Sequence, residues 1–220
     1  MENVKETKEK NKISLLAIVA ANLVPLVMAL LGYWGVGEIL LLYWLETGIV
    51  GVFTVLRVLF AAAPGPAGGR LTVNQLRTAP ASVTLPLAMA QWGIFGKLLL
   101  SLFFAFPYAL FMVMQGYILY IFMAIVGPYG WPLPAVKWGL LALFGSHALG
   151  FAVDYIASGE FRRTSAEACV ETPFHRLAIM QIVLGCGGWA SSSFGYTAYI
   201  MSVFVLVKLV IDLRPAKGYI

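Results

Sequence analysis

The chain is 220 residues long, 60% hydrophobic and only 11% charged, with a mean hydropathy of +0.85. A soluble globular domain is about 45–50% apolar and about 25% charged, so the composition excludes an ordinary cytosolic enzyme, a disordered tail and a secreted disulfide scaffold, and marks a membrane protein. The net charge of +5 comes from basic residues scattered between long apolar runs, which argues against nucleic-acid binding and for charge as a topology signal.

A bilayer core about 30 Å thick takes about 20 apolar residues of helix at about 1.5 Å per residue. After a polar tail at 1–12, six stretches meet that length: Ile13–Trp34, Val36–Ala62, Leu98–Val126, Val136–Ser158, Phe174–Ala190 and Tyr196–Leu213, followed by a tail at 214–220. The reading is an all-α integral membrane helical bundle of six transmembrane helices over 13–213. The first apolar run is longer than the about 7–15 residues of a signal peptide and no A-x-A site follows it, so it is read as a span.

Basic residues alternate between the ends of these spans. Lys5, Lys8, Lys10 and Lys12 precede the first; Arg57, Arg70, Arg77 and Lys97 lie between the second and third; Arg162, Arg163 and Arg176 lie between the fourth and fifth; Lys208, Arg214 and Lys217 close the chain. Only Lys137 falls on the other side, so 14 of the 15 Lys and Arg share one face, which the positive-inside rule makes cytoplasmic; the expectation is a multi-pass protein of the cell membrane with both termini cytoplasmic.

The one long connection, 64–97, opens with Pro64-Gly65-Pro66 and carries Arg70 and Arg77 before turning apolar at Val83. Counting 83–96 as a seventh span would put Arg162, Arg163 and Arg176 outside, so it is read as an interfacial or re-entrant segment leading into span three, which Pro107 is expected to kink. Tyr33, Trp34, Tyr129, Trp131, Trp138, Trp189 and Tyr196 gather at the outer ends, where aromatic rings anchor at headgroup level. Cys169, between spans four and five, and Cys186, inside span five, sit at different depths and are read as free thiols.

Polar side chains within spans are costly and are functional candidates. Asn22, Glu46, Gln115 and His147 each lie nine to eleven residues from the nearer end of spans one to four, so all four sit near the midplane, about 13–17 Å deep. Small or polar residues recur beside them: Asn22, Pro25, Ala29 and Gly32 on span one; Ala142, Ser146, Gly150, Asp154 and Ser158 on span four; Gln181, Gly185, Gly188 and Ser192 on span five. Such stripes allow close approach of another backbone. Glu46 and His147 are read as partners able to hold or pass one proton; the alternative is that both are packing residues, a neutral acid and a satisfied histidine.

Asp154 lies at the level of Arg57 and near Arg162, and is expected to form an inner-interface ion pair, with a gate as the alternative. Lys208 and Asp212 are spaced for a helical ion pair, and the run from Gly159 to Glu167 suggests a helix end followed by a capping box at Thr164 or Ser165, its arginines free to engage anionic headgroups. No nucleophile elbow, zincin motif, Walker loop or dinucleotide fingerprint is present, and with His147 the only histidine inside a span no metal or haem ligand set forms; no cofactor is named.

Leu40-Leu41-Leu42-Tyr43-Trp44-Leu45-Glu46, Ser146-His147, Gly159-Glu160-Phe161-Arg162-Arg163-Thr164 and Pro173-Phe174-His175-Arg176 resemble a family of uncharacterised prokaryotic multi-span membrane proteins, a domain of unknown function. The resemblance covers about Asn22 to Gly188 and implies that Glu46 and His147 are motif positions. It also implies that relatives carry histidine where this chain has Gln91 and Gln181, so a metal or haem site of the family would lack ligands here.

The leading functional expectation is a small ion, proton or solute conduit or carrier centred on Glu46 and His147, with Asn22 and Gln115 completing the centre and Asp154, Arg57, Gln181 and Arg162 as secondary or gating groups. The alternatives are a membrane-embedded enzyme or cofactor binder acting on a lipid-soluble substrate, and a structural or partner subunit. The expected partners are the lipid bilayer and its anionic cytoplasmic headgroups; the chain could form a homo-oligomer, and nucleic acid is not expected.

Overall fold

The computed structural model describes residues 19–20, 23–63, 93–126, 132–170 and 173, and these are all helix or short connection. Helix α1 (23–30) leads into α2 (Val36–Phe60); α3 covers Gly93–Val126 and α4 covers Leu133–Gly150. Three helical stretches, Val36–Phe60, Gly93–Ile125 and Leu133–Ala157, are long and apolar enough to cross a membrane. They coincide with the second, third and fourth expected spans. The fifth and sixth spans, Asn22, Gln91, Gln181, His175, Cys186, Lys208 and Asp212 lie outside the described residues.

Local chemistry sets the ends of these helices. Gly32, at φ +73°, closes α1: its N–H bonds the Ala29 carbonyl at 3.1 Å while the Tyr33 N–H bonds that of Met28 at 2.9 Å, the paired bonds of a Schellman stop that favours a residue without Cβ. The Glu38 carboxylate then accepts from the Gly35 N–H at 3.0 Å, satisfying a donor at the start of α2. Helix α3 begins at Gly93, so residues 93–96, expected in the interfacial segment, belong to the same continuous helix as Leu98–Val126.

Helix α2 is the central element: 56% of its most apolar stretch is buried, against 28% and 17% for the other two. It runs antiparallel to α3, because Gly37 faces Met123, Gly48 faces Met112 and Gly51 faces Tyr108. It runs parallel to α4, because Leu42 meets Gly139, Phe53 meets Phe151, and the Arg57 carbonyl meets the Tyr155 hydroxyl. Two helices of one direction with the intervening one reversed is the order that successive crossings require. The α3 contacts (Trp44, Gly48, Gly51) and the α4 contacts (Leu42, Glu46, Phe53) fall on opposite sides of α2, since two residues of helix turn through about 200°.

Close approach depends on glycine meeting an aromatic ring. An added Cβ would stand 2.5 Å from the Tyr108 ring at Gly51, 2.7 Å from Trp44 at Gly116 and 2.8 Å from Trp34 at Gly139. Trp34 is therefore a core residue, 5% exposed, and not the headgroup anchor expected of it, whereas Tyr33 and Trp138 are exposed. On α1, Pro25 and Ala29 are buried as the small-residue stripe implied, whereas Gly32, its last member, is exposed.

Beyond Gly150 the backbone changes hand-over: the Phe151 N–H is shared between the carbonyls of His147 and Ala148, and Phe151–Ala157 is a π-helix. A wider turn ends the four-residue repeat that the stripe through Asp154 and Ser158 assumed, and Ser158 is exposed. The chain then folds back on the end of α2, where the Ala62 N–H bonds the Phe161 carbonyl at 2.7 Å and the Ala63 N–H bonds that of Thr164 at 3.3 Å.

Candidate functional site

Glu46 and His147 meet across the α2–α4 seam, Nε2 to Oε1 3.5 Å, with the glutamate side chain 4% exposed and the imidazole 23% exposed. Parallel packing brings the two near one level: Glu46 lies four residues beyond Leu42 and His147 eight beyond Gly139, a stagger of about one turn. The separation is longer than a relaxed N–H···O hydrogen bond of about 2.7–3.2 Å, and short enough for an ion pair when the imidazole is protonated. The imidazole stacks on Phe53 at 6.3 Å between centroids, and Phe53 also contacts Phe144 and Phe151, each at 5.7 Å. The sequence reading passed over Phe53, a ring among fourteen phenylalanines.

Gln115 lies at the same level on the other neighbour of α2. The Trp44 indole N–H donates to the Met112 carbonyl at 2.9 Å and the Trp44 ring lies against Gly116, which brackets Gln115 at the level of Trp44; one turn further along α2 the Tyr108 hydroxyl donates to the Thr47 carbonyl at 2.7 Å. Its side chain is 1% exposed, and neither its Oε1 nor its Nε2 has a hydrogen-bond partner among the described residues. Tyr43, Thr47 and Ser146 are also buried at this level, so the layer is more polar than the spacing of Glu46, Gln115 and His147 suggested. Acid and imidazole touch, while Gln115 belongs to the α3 side of α2.

At the Arg57 end the expected pairing of Asp154 with Arg57 or Arg162 does not occur among the described residues. The Arg57 guanidinium lies over the Tyr155 ring at 5.5 Å and that of Arg162 over Phe161 at 5.3 Å, while Asp154 Oδ1 is buried without a hydrogen-bond partner among the described residues. The residue after Asp154 has taken the place against Arg57. The Tyr155 hydroxyl donates to the Arg57 carbonyl at 2.7 Å and sits 3.8 Å from the Cys169 sulfur. Burial pushes the Cys169 thiol up, with the Tyr155 hydrogen bond and Arg57 opposing; burial likewise raises the Glu160 carboxyl, Arg57 opposing and Asp154 adding to it. Ser165, not Thr164, is the cap of the helix that follows, accepting from the Ala168 N–H at 3.4 Å, while the Thr164 hydroxyl donates to the Glu160 carbonyl. Cys169 is a free thiol, and no group of three potential metal ligands occurs among the described residues.

The pattern of the Family of unknown function (DUF6498) matches residues 5–217 of the chain. The chain belongs to that family. No curated protein and no solved structure matches it.

Proposed function

We propose that this family member is a six-span membrane protein of the cell membrane, one domain over 13–213, that carries a proton, ion or small solute through a centre at Glu46 and His147. The observation that supports the reading most is the meeting of those two groups: a carboxylate 4% exposed, inside a helix apolar enough to span a membrane, 3.5 Å from an imidazole. One proton can sit on either partner with no change in the net charge of the pair, so the pair can store and hand over a proton in a medium that tolerates little net charge. Asn22 and Gln115 complete the centre in this reading, and Asp154, Arg57, Gln181 and Arg162 act as secondary groups.

The orientation proposed is with both termini cytoplasmic. Arg57, Lys97, Arg162 and Arg163 lie toward one end of the described helices, where Val58 and Ala61 pack on Leu100, and Lys137 lies toward the other. That division supports the positive-inside reading, with anionic headgroups at the basic end.

The test is proton or ion flux into proteoliposomes. Glu46→Gln keeps the shape and hydrogen-bonding capacity of the side chain, so monodisperse protein with flux abolished is expected. Wild-type flux that survives Glu46→Gln, or a wild-type protein that moves no ion or proton, overturns the proposal.

A further inference from the structure

Two directions lead away from the Glu46–His147 pair among the described residues, and they differ in chemistry. Along the α2–α4 seam toward Arg57, rings fill the space in succession: His147 stacks on Phe53, Phe53 meets Phe144 and Phe151 at 5.7 Å, and Phe151 meets Phe60 at 5.9 Å and Tyr155 at 5.6 Å. Nothing in that succession until Tyr155 can accept or donate a strong hydrogen bond.

Around α2 toward α3 the side chains are polar. Glu46, Tyr43 and Thr47 fall within about one turn, and the contacts of Trp44 with Met112 and Gly116 set Gln115 at their level. The hydroxyls of Thr47 and Tyr108 donate elsewhere, to the Tyr43 carbonyl at 2.9 Å and to the Thr47 carbonyl. The Gln115 amide is 1% exposed, with neither polar atom bonded among the described residues. A buried primary amide offers two donors and an acceptor, and native proteins satisfy such groups with protein or with water.

We propose that Gln115 binds internal water in the layer of Glu46, and that this hydrated site on the α3 side of α2, rather than the ring-filled α2–α4 seam, is the polar route to the Glu46–His147 pair. The route rests on the carrier reading above; the hydration does not. Water is the ligand this amide recognises because it supplies donor and acceptor together and occupies the least volume in a tightly packed layer.

The test uses the full-length protein, 15N-labelled, in lipid nanodiscs. The Gln115 side-chain amide is identified as the resonance absent from Gln115→Met, a change of similar volume, or displaced in Gln115→Asn should the first variant not fold. Magnetisation transfer from water to that amide in the wild type is expected. Gln115→Met or Gln115→Asn is expected to lower Glu46-dependent flux in proteoliposomes by about tenfold, the effect of one lost hydrogen bond in the path. An amide that receives no magnetisation from water overturns the proposal, and so does a hydrated amide whose replacement leaves flux unchanged. If instead Glu46→Gln leaves wild-type flux intact, the carrier reading fails by itself, and the water signal still decides the hydration site.

Discussion

The Tyr108 ring lies on Gly51 so closely that an added Cβ would stand 2.5 Å from its Cε1, and the same phenol donates to the Thr47 carbonyl one turn earlier. The missing side chain and the hydrogen bond are parts of one contact: the ring can reach a helix carbonyl only where the helix surface is bare. Gly51 and Tyr108 thereby set the α2–α3 register and, with it, the level of Gln115.

Gly51→Ala is accordingly expected to destabilise the bundle by about 1–3 kcal/mol, the usual cost of overpacking. Gly145→Ala serves as the control, because a Cβ there meets nothing within 4 Å. It is expected to be neutral or slightly stabilising through helix propensity, by up to about 1 kcal/mol. Thermal midpoints of the two variants in detergent decide the matter; equal midpoints would refute the assigned contact.

The Tyr155 hydroxyl joins three segments: the end of α2 through the Arg57 carbonyl, its own π-helix, and the helix carrying Cys169. Tyr155→Phe removes these bonds and is expected to cost about 1 kcal/mol. It should also accelerate alkylation of Cys169, because the turn that shields the thiol loses its tie. Alkylation rates in a Cys186→Ser background measure this directly. A rate unchanged in Tyr155→Phe would show that the hydroxyl does not hold the junction.

Glu160 carries a pH signature. The residue as a whole is exposed, but partial desolvation raises its carboxyl above the ordinary carboxylate value, more than Arg57 lowers it. A raised acid pKa contributes stability that is fully present below the unfolded-state value and is lost as pH rises through the folded value. Glu160→Gln removes that loss, so the variant is expected to melt higher than wild type at neutral pH, with the gap closing in acid where both side chains are neutral. A gap that widened toward low pH would contradict the assigned desolvation of the carboxyl.

Much of this protein was legible without coordinates, and the limits have a physical cause. Apolar run lengths placed the three helices long and apolar enough to cross a membrane, and a rise of about 1.5 Å per residue put Glu46, Gln115 and His147 at one level, because position along a helix follows from counting. Direction around the helix does not follow. When lipid and protein faces are both apolar, periodicity carries little signal of which side is buried. Only packing therefore decided that His147 lies beside Glu46 on α4 while Gln115 lies toward α3, that Trp34 fills the space over Gly139 instead of anchoring at a headgroup, and that a π-turn puts Tyr155 rather than Asp154 against Arg57. Counting along the apolar runs determined the level of each polar group on its helix; the glycine gaps, ring contacts and backbone switch determined which neighbour it meets.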